Sequence, residues 1–167
     1  MRSNNAGSVD INLLQSDSIT YRNQDYVVSQ GGAFYDGTSV GGDTSKYTTL
    51  QLYNPAGSGK ILIIDSIFFS TAANATVSVA QYATEQANDI RAWRSALFGG
   101  SAGVSHLRWA QHASVTGSVI TTVYLLATTP FQLVYDNPIQ VGATNSIQII
   151  SETANVGLTA NFIGREV

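Results

Sequence analysis

The 167-residue chain contains no cysteine, so disulfides, thiolate metal sites and a cysteine nucleophile are all excluded. Packing, hydrogen bonding or subunit association must supply its stability. Charge is scarce as well, with eight Lys and Arg against eleven Asp and Glu, 11% of the residues, for a net charge of −3. A surface this poor in cations attracts phosphate backbones weakly, and a nucleic-acid partner is not expected. No apolar run approaches the roughly 18 residues that span a bilayer, so no membrane partner is expected. The opening Met1-Arg2-Ser3-Asn4-Asn5-Ala6-Gly7 has none of the apolar character of a signal peptide. An extracellular destination would then be reached by release of assembled particles from a lysed cell.

What the chain does contain is 44% hydrophobic residues, fifteen glycines and a polarity carried mostly by Ser, Thr, Asn and Gln. That balance favours strands and turns over surface helices, whose wet faces need Glu, Lys and Arg. The length suits one hydrophobic core.

Residues 1–46 read as an N-terminal arm. Its apolar stretches are short, chiefly Val9-Asp10-Ile11-Asn12-Leu13-Leu14 and Tyr26-Val27-Val28, and Gln30 to Asp43 is dense in glycine, as tight turns or a loop require. From Tyr47 the pattern becomes closely spaced strands. In Tyr47 to Tyr53, Leu50 and Leu52 share one face while Thr49 and Gln51 take the other. Asn54-Pro55-Ala56-Gly57-Ser58-Gly59 forces a turn. Lys60 to Ser70 is the most apolar strand and is expected at the centre of a sheet with both faces covered. Further strands are read over Ala75 to Tyr82, Ser118 to Ala127, Phe131 to Tyr135, Ser146 to Ser151 and Gly157 to Gly164. No internal repeat supports a solenoid or propeller. The expectation is an all-β chain: a single antiparallel β-sandwich or jelly-roll domain over 47–167 with an extended arm over 1–46.

Glu85 to Phe98 reads in two ways. Ile90, Trp93 and Leu97 fall at helical spacing ahead of Gly99-Gly100, which predicts a helix. The same residues also fit a long excursion that carries Arg91, Trp93 and Arg94 on the surface, followed by an extended stretch through Arg108 and Trp109.

No motif assembles chemistry. Gly57-Ser58-Gly59-Lys60 superficially matches a phosphate-binding loop, but Asn54 stands at the upstream glycine position, Ile61 follows the lysine, and the next segment is strand-like. A glycine-rich turn fits better. His106 and His112 would share a strand face too far apart for joint metal ligation. The acidic residues Asp10, Asp17, Asp36 and Asp43 are isolated and read as solvated carboxylates or turn caps, with no calcium loop. No Gly-x-Ser-x-Gly elbow is present, and Asn74-Ala75-Thr76 is read as a chance glycosylation match. Neither a catalytic role, a metal nor a cofactor is expected. The distinctive cluster is Arg91, Trp93, Arg94, Arg108 and Trp109, which gathers both tryptophans and three of the eight basic residues. Trp and Arg cover large areas and donate directionally, which makes the five a candidate protein interface. The competing reading places the tryptophans in the core and the arginines in solvent.

The stretch Leu52-Tyr53-Asn54-Pro55-Ala56-Gly57-Ser58-Gly59-Lys60-Ile61-Leu62-Ile63-Ile64 resembles a strand-turn-strand of small β-rich virion proteins of tailed bacteriophages. The ending Leu158 to Glu166 is similar to their closing strand. The resemblance implies a virion component, often a homotrimer, such as a capsid cement (decoration) protein bound to the major capsid protein on the head surface. Its alternative is a tail-fibre or baseplate receptor-binding module whose Tyr and Trp side chains stack on carbohydrate. A glycan-cleaving enzyme would need a pair of carboxylates facing one cleft.

Overall fold

The computed structural model describes residues 33–96 and 100–167. Ten strands follow in order: β1 (Ala33–Val40), β2 (Tyr47–Asn54), β3 (Leu62–Thr71), β4 (Ala75–Tyr82), β5 (Asn88–Ala92), β6 (His106–His112), β7 (Ser118–Leu125), β8 (Phe131–Val141), β9 (Asn145–Ser151) and β10 (Leu158–Glu166). They form two antiparallel sheets, one ordered β1-β10-β3-β8 and the other β5-β6-β2-β9-β4-β7.

The pairing has a simple logic. The first strand pairs with the last, β2 with β9, β3 with β8 and β4 with β7. This is a long two-stranded ribbon rolled over on itself, the wiring of a jelly roll. The extra strands β5 and β6 interrupt the path from β4 to β7 and extend the second sheet beyond β2.

Alternation builds the core. Leu50 and Leu52 of β2, Ile64 and Ile67 of β3, Val77 and Val79 of β4, Ile147 and Ile149 of β9, and Leu158 and Phe162 of β10 all turn inward and are buried. Each such side chain stabilises the fold by about 1.5–3 kcal/mol through loss of apolar surface to water. Gly57 and Gly59 adopt φ of 71° and 64° between β2 and β3, and Ser58 N–H donates to Pro55 O. The glycine-lysine segment is thus a tight turn, with Lys60 in solvent.

Three expectations change. Residues 33–46, read as part of the arm, belong to the sandwich: β1 pairs along its whole length with β10, and Phe34 is buried in the core. The remainder of the expected arm, residues 1–32, lies outside the described residues. Of the two readings of 85–98, the helix is absent among its described residues, since Asn88–Ala92 is strand β5 paired with β6; residues 97–99 lie outside the described ones. The expected doubly covered strand is also a different one. β3 is central in its sheet, yet Ile63, Asp65 and Phe68 on its outer face are only half-buried. β2 is the strand covered on both sides, with Thr49 and Gln51 as buried as Leu50.

Candidate functional site

The covering of β2 is polar and comes from the segments flanking β5 and β7. Gln51 Nε2 donates to Thr84 O (2.9 Å) and Ser146 Oγ (2.7 Å), and its Oε1 accepts from Gln86 N–H (2.9 Å). Gln86 Nε2 donates to Gln148 Oε1 (3.1 Å), Gln148 Nε2 donates to Thr116 O (2.8 Å), and His112 Nε2 lies 2.8 Å from Gln86 Oε1. A buried amide must find partners within the protein. Here the three glutamines largely satisfy one another and pin loops 83–87 and 113–117 to the sheet. Burial lowers the pKa of His112, so the neutral imidazole donates its Nε2 hydrogen to the glutamine oxygen. His106 uses the same strand face but bonds Asp89 (3.0 Å), so the two histidines serve separate partners.

The five candidate interface residues divide. Trp93 is fully buried, stacks on Phe34 with ring centroids 5.2 Å apart, and donates its indole N–H to Phe162 O (3.3 Å). It belongs to the core and presents no surface. Arg91 and Arg94 converge on one carboxylate, Asp36 of β1. Arg91 Nε and Nη2 reach its two oxygens at 2.7 and 2.8 Å, and Arg94 Nε and Nη2 at 3.0 and 2.9 Å. Arg91 Nη2 also donates to Gly37 O (2.6 Å). Burial alone would push the Asp36 carboxyl up, but the hydrogen bonds from Arg91 and Arg94 and from Gly37 N–H outweigh it and hold the pKa at about 2. The arrangement clamps the β5 excursion onto β1. Arg108 is mostly buried, donates to Gln86 O (2.7 Å) and pairs with Glu85 (2.8 Å).

Trp109 is half-buried and lines a groove of about 550 Å³ between the edge of β1 and strands β5 and β6, together with Thr38, Val40, Gly41, Ile90 and Gln111. Gln111 Nε2 donates to Gly41 O (2.9 Å) at its rim. An indole beside hydroxyls and an amide has the chemistry that receives a sugar ring. Among the described residues, no group of three His, Asp or Glu side chains is placed to hold a metal ion.

The opposite flank is formed by β7 and β8, the edge strands of the two sheets, joined by residues 126–130. From Trp109 to Tyr135 the chain has no Asp, Glu, Lys or Arg. Val119, Ile120, Tyr124, Leu126 and Val134 are exposed here, half of the exposed large hydrophobics among the described residues. Tyr124 and Val134 are each 65% exposed. Between them Val123, Phe131, Leu133, Tyr135 and Ile139 are core residues left partly open. Alternation sets Tyr124 on the outer face of the six-stranded sheet and Val134 on the outer face of the four-stranded one, so exposed apolar groups border this open flank on both sides. Strand alternation did not reveal it, because β7 has the same composition as a buried strand.

Comparison with family models, with curated proteins and with solved structures finds no match. The molecule is a jelly-roll sandwich with one flank clamped by Asp36 and grooved at Trp109, and an apolar flank at β7 and β8.

Proposed function

We propose that the chain is a structural subunit that acts by association, and specifically a virion protein of the capsid cement type, as its resemblance to small tailed-phage proteins suggests. The observation that supports this reading most is the apolar flank of β7 and β8, a surface suited to burial against another protein and carrying no groups that perform chemistry. On this reading its partners are further copies of itself and the major capsid protein, its place is the capsid surface, and it strengthens the shell through many weak contacts acting together. The test is to add purified protein to capsids that lack it. Binding with a raised capsid melting temperature is expected, and unchanged melting would overturn the cement assignment.

A second reading, a carbohydrate-binding module, draws support from Trp109 in its groove. Neutral oligosaccharides on an array would be retained by the native protein and lost with Trp109→Ala. A cement protein gives no such signal.

A further inference from the structure

We infer that the β7 edge is a two-fold pairing surface for a second copy of this chain, joining two six-stranded sheets edge to edge. The inference rests on the reading of the protein as an assembly subunit and names the surface that assembles.

An edge strand leaves alternate backbone N–H and C=O groups without partners in the sheet, and another strand matches all of them at once. Folded proteins blunt such edges with charge, proline, bulges or short length. The other edges of this sandwich carry these devices or are already engaged. β5 has five residues including Asp89 and Arg91 and contains a bulge, the outer edge of β1 is already engaged where Tyr35 N–H donates to Arg94 O, and β8 carries Asp136 and Pro138. β7 has eight residues with neither charge nor proline. Its one irregularity is a bulge at Ile120, which leaves Thr121 to Leu125 in regular pairing with β4 and with no partner strand on the other side among the described residues.

The strand itself indicates the occupant. Val119-Ile120-Thr121-Thr122-Val123-Tyr124 runs apolar pair, threonine pair, apolar pair from either end. An antiparallel copy with Thr122 on the two-fold axis sets Thr122 opposite Thr122 and Tyr124 opposite the apolar Val119-Ile120 end of the copy on one face, combinations that stabilise cross-strand neighbours. This self-matching is what a two-fold interface requires, since each residue contacts the partner of its own counterpart. β7 itself carries no charged residue, so pairing along it sets no like charges directly against each other. Leu126 adds exposed apolar surface just past the strand, and Ile120 and Ile139 line one crevice across β7 and β8.

The experiment is sedimentation equilibrium of the full chain across a concentration series, with amide hydrogen exchange on the same samples. A two-chain mass is expected, with β7 amides exchanging more slowly as the dimer forms. Tyr124→Lys and Val119→Lys, both at exposed positions, should weaken dimerisation by about 100-fold or more by setting an unpaired charge against the other copy's apolar side chains. The control Val104→Lys, at an exposed position away from β7, should leave it unchanged. A self-association that survives both lysine variants, or a three-chain mass, overturns the two-fold joint but leaves the assembly reading in place. A monomer at every concentration overturns the joint and removes self-association from that reading. β7 amides protected to the same extent in such a monomer would show that the chain's own N-terminal residues cover the edge, which also overturns the inference. Should a lysine variant fail to fold, the concentration dependence of exchange in the unmodified chain decides alone.

Discussion

Asp36 and Arg91 lie far apart in sequence yet meet through two hydrogen bonds of 2.7 and 2.8 Å, with the carboxylate only 2% exposed. Arg94 closes on the same carboxylate from the next turn of chain, so the first strand of one sheet and the insertion extending the other are held by a single anion.

Replacing Asp36 by Asn leaves two arginines facing a neutral group. Solvent reaches the Arg91 side chain (34% exposed) and more of Arg94, so the cost is below that of a fully buried pair, at about 2 kcal/mol. Arg91→Ala should destabilise more than Arg94→Ala, because only Arg91 also donates to Gly37 O. The folded pKa of Asp36, about 2, lies below its usual 3.8. The clamp therefore contributes fully above pH 3.8, and its contribution is lost as pH falls towards 2. Urea titrations between pH 5 and 2 should show a loss of stability in the native protein that is smaller in Asp36→Asn.

Deletion of residues 1–46 removes β1, with Phe34 and Asp36. Trp93 loses its stacking partner, Arg91 and Arg94 lose their counter-ion, and β10 becomes an edge. The truncated chain should show no cooperative thermal transition in near-ultraviolet circular dichroism. A sharp transition like that of the whole chain would show that β1 is dispensable.

His112 acts in a higher pH window than Asp36, and its contribution too is lost on acidification. Burial holds its folded pKa below the ordinary 6.5, so folding favours the neutral ring. Stability is complete above pH 6.5 and falls as the pH drops below that value, because protonation in the folded state must charge a buried imidazole that donates to Gln86. Melting temperatures at pH 7.5 and 5.5 should differ in the native protein. His112→Gln, which keeps an amide donor without titrating, should narrow that difference.

The two tryptophans report separately. Trp93→Ala empties a fully buried site and should cost about 3–5 kcal/mol. Trp109→Phe leaves only the shielded Trp93, so its emission should shift to shorter wavelength and resist acrylamide, whereas Trp93→Phe should leave a quenchable fluorophore. Equal quenching of both variants would contradict the placement of Trp93 in the core.

Gly37 faces β10 so closely that an added Cβ would collide with Asn161 and with the backbone carbonyl of Ala160. Gly37→Ala should therefore push β1 off β10 and loosen the clamp at Asp36. Faster exchange of the β1 amides would report it.

The order of short strands and turns was written locally. Leu50 and Leu52, Val77 and Val79, and Leu158 and Phe162 alternate with polar neighbours, and one inward face per strand follows from the pleat alone. Hence the all-β class and seven of the ten strands were legible to within a few residues, β8 excepted, which runs on through Pro138 to Val141. What covers the other face depends on chain remote in sequence. The sequence places Gln51 only on the face opposite Leu50, and its burial depends on the loop at 83–87, because a buried glutamine and an exposed one look alike until partners such as Gln86 and Ser146 arrive. Gly37 and the glycines flanking β1 signalled a loop, and only pairing with β10 makes that stretch a strand. Arg91, Trp93 and Arg94 were conspicuous by composition, but the tertiary structure alone decided that they hold the sandwich together. It also decided that the uncharged run through β7 and β8 lies on an open flank, since an edge exists only once the strands have been put in order.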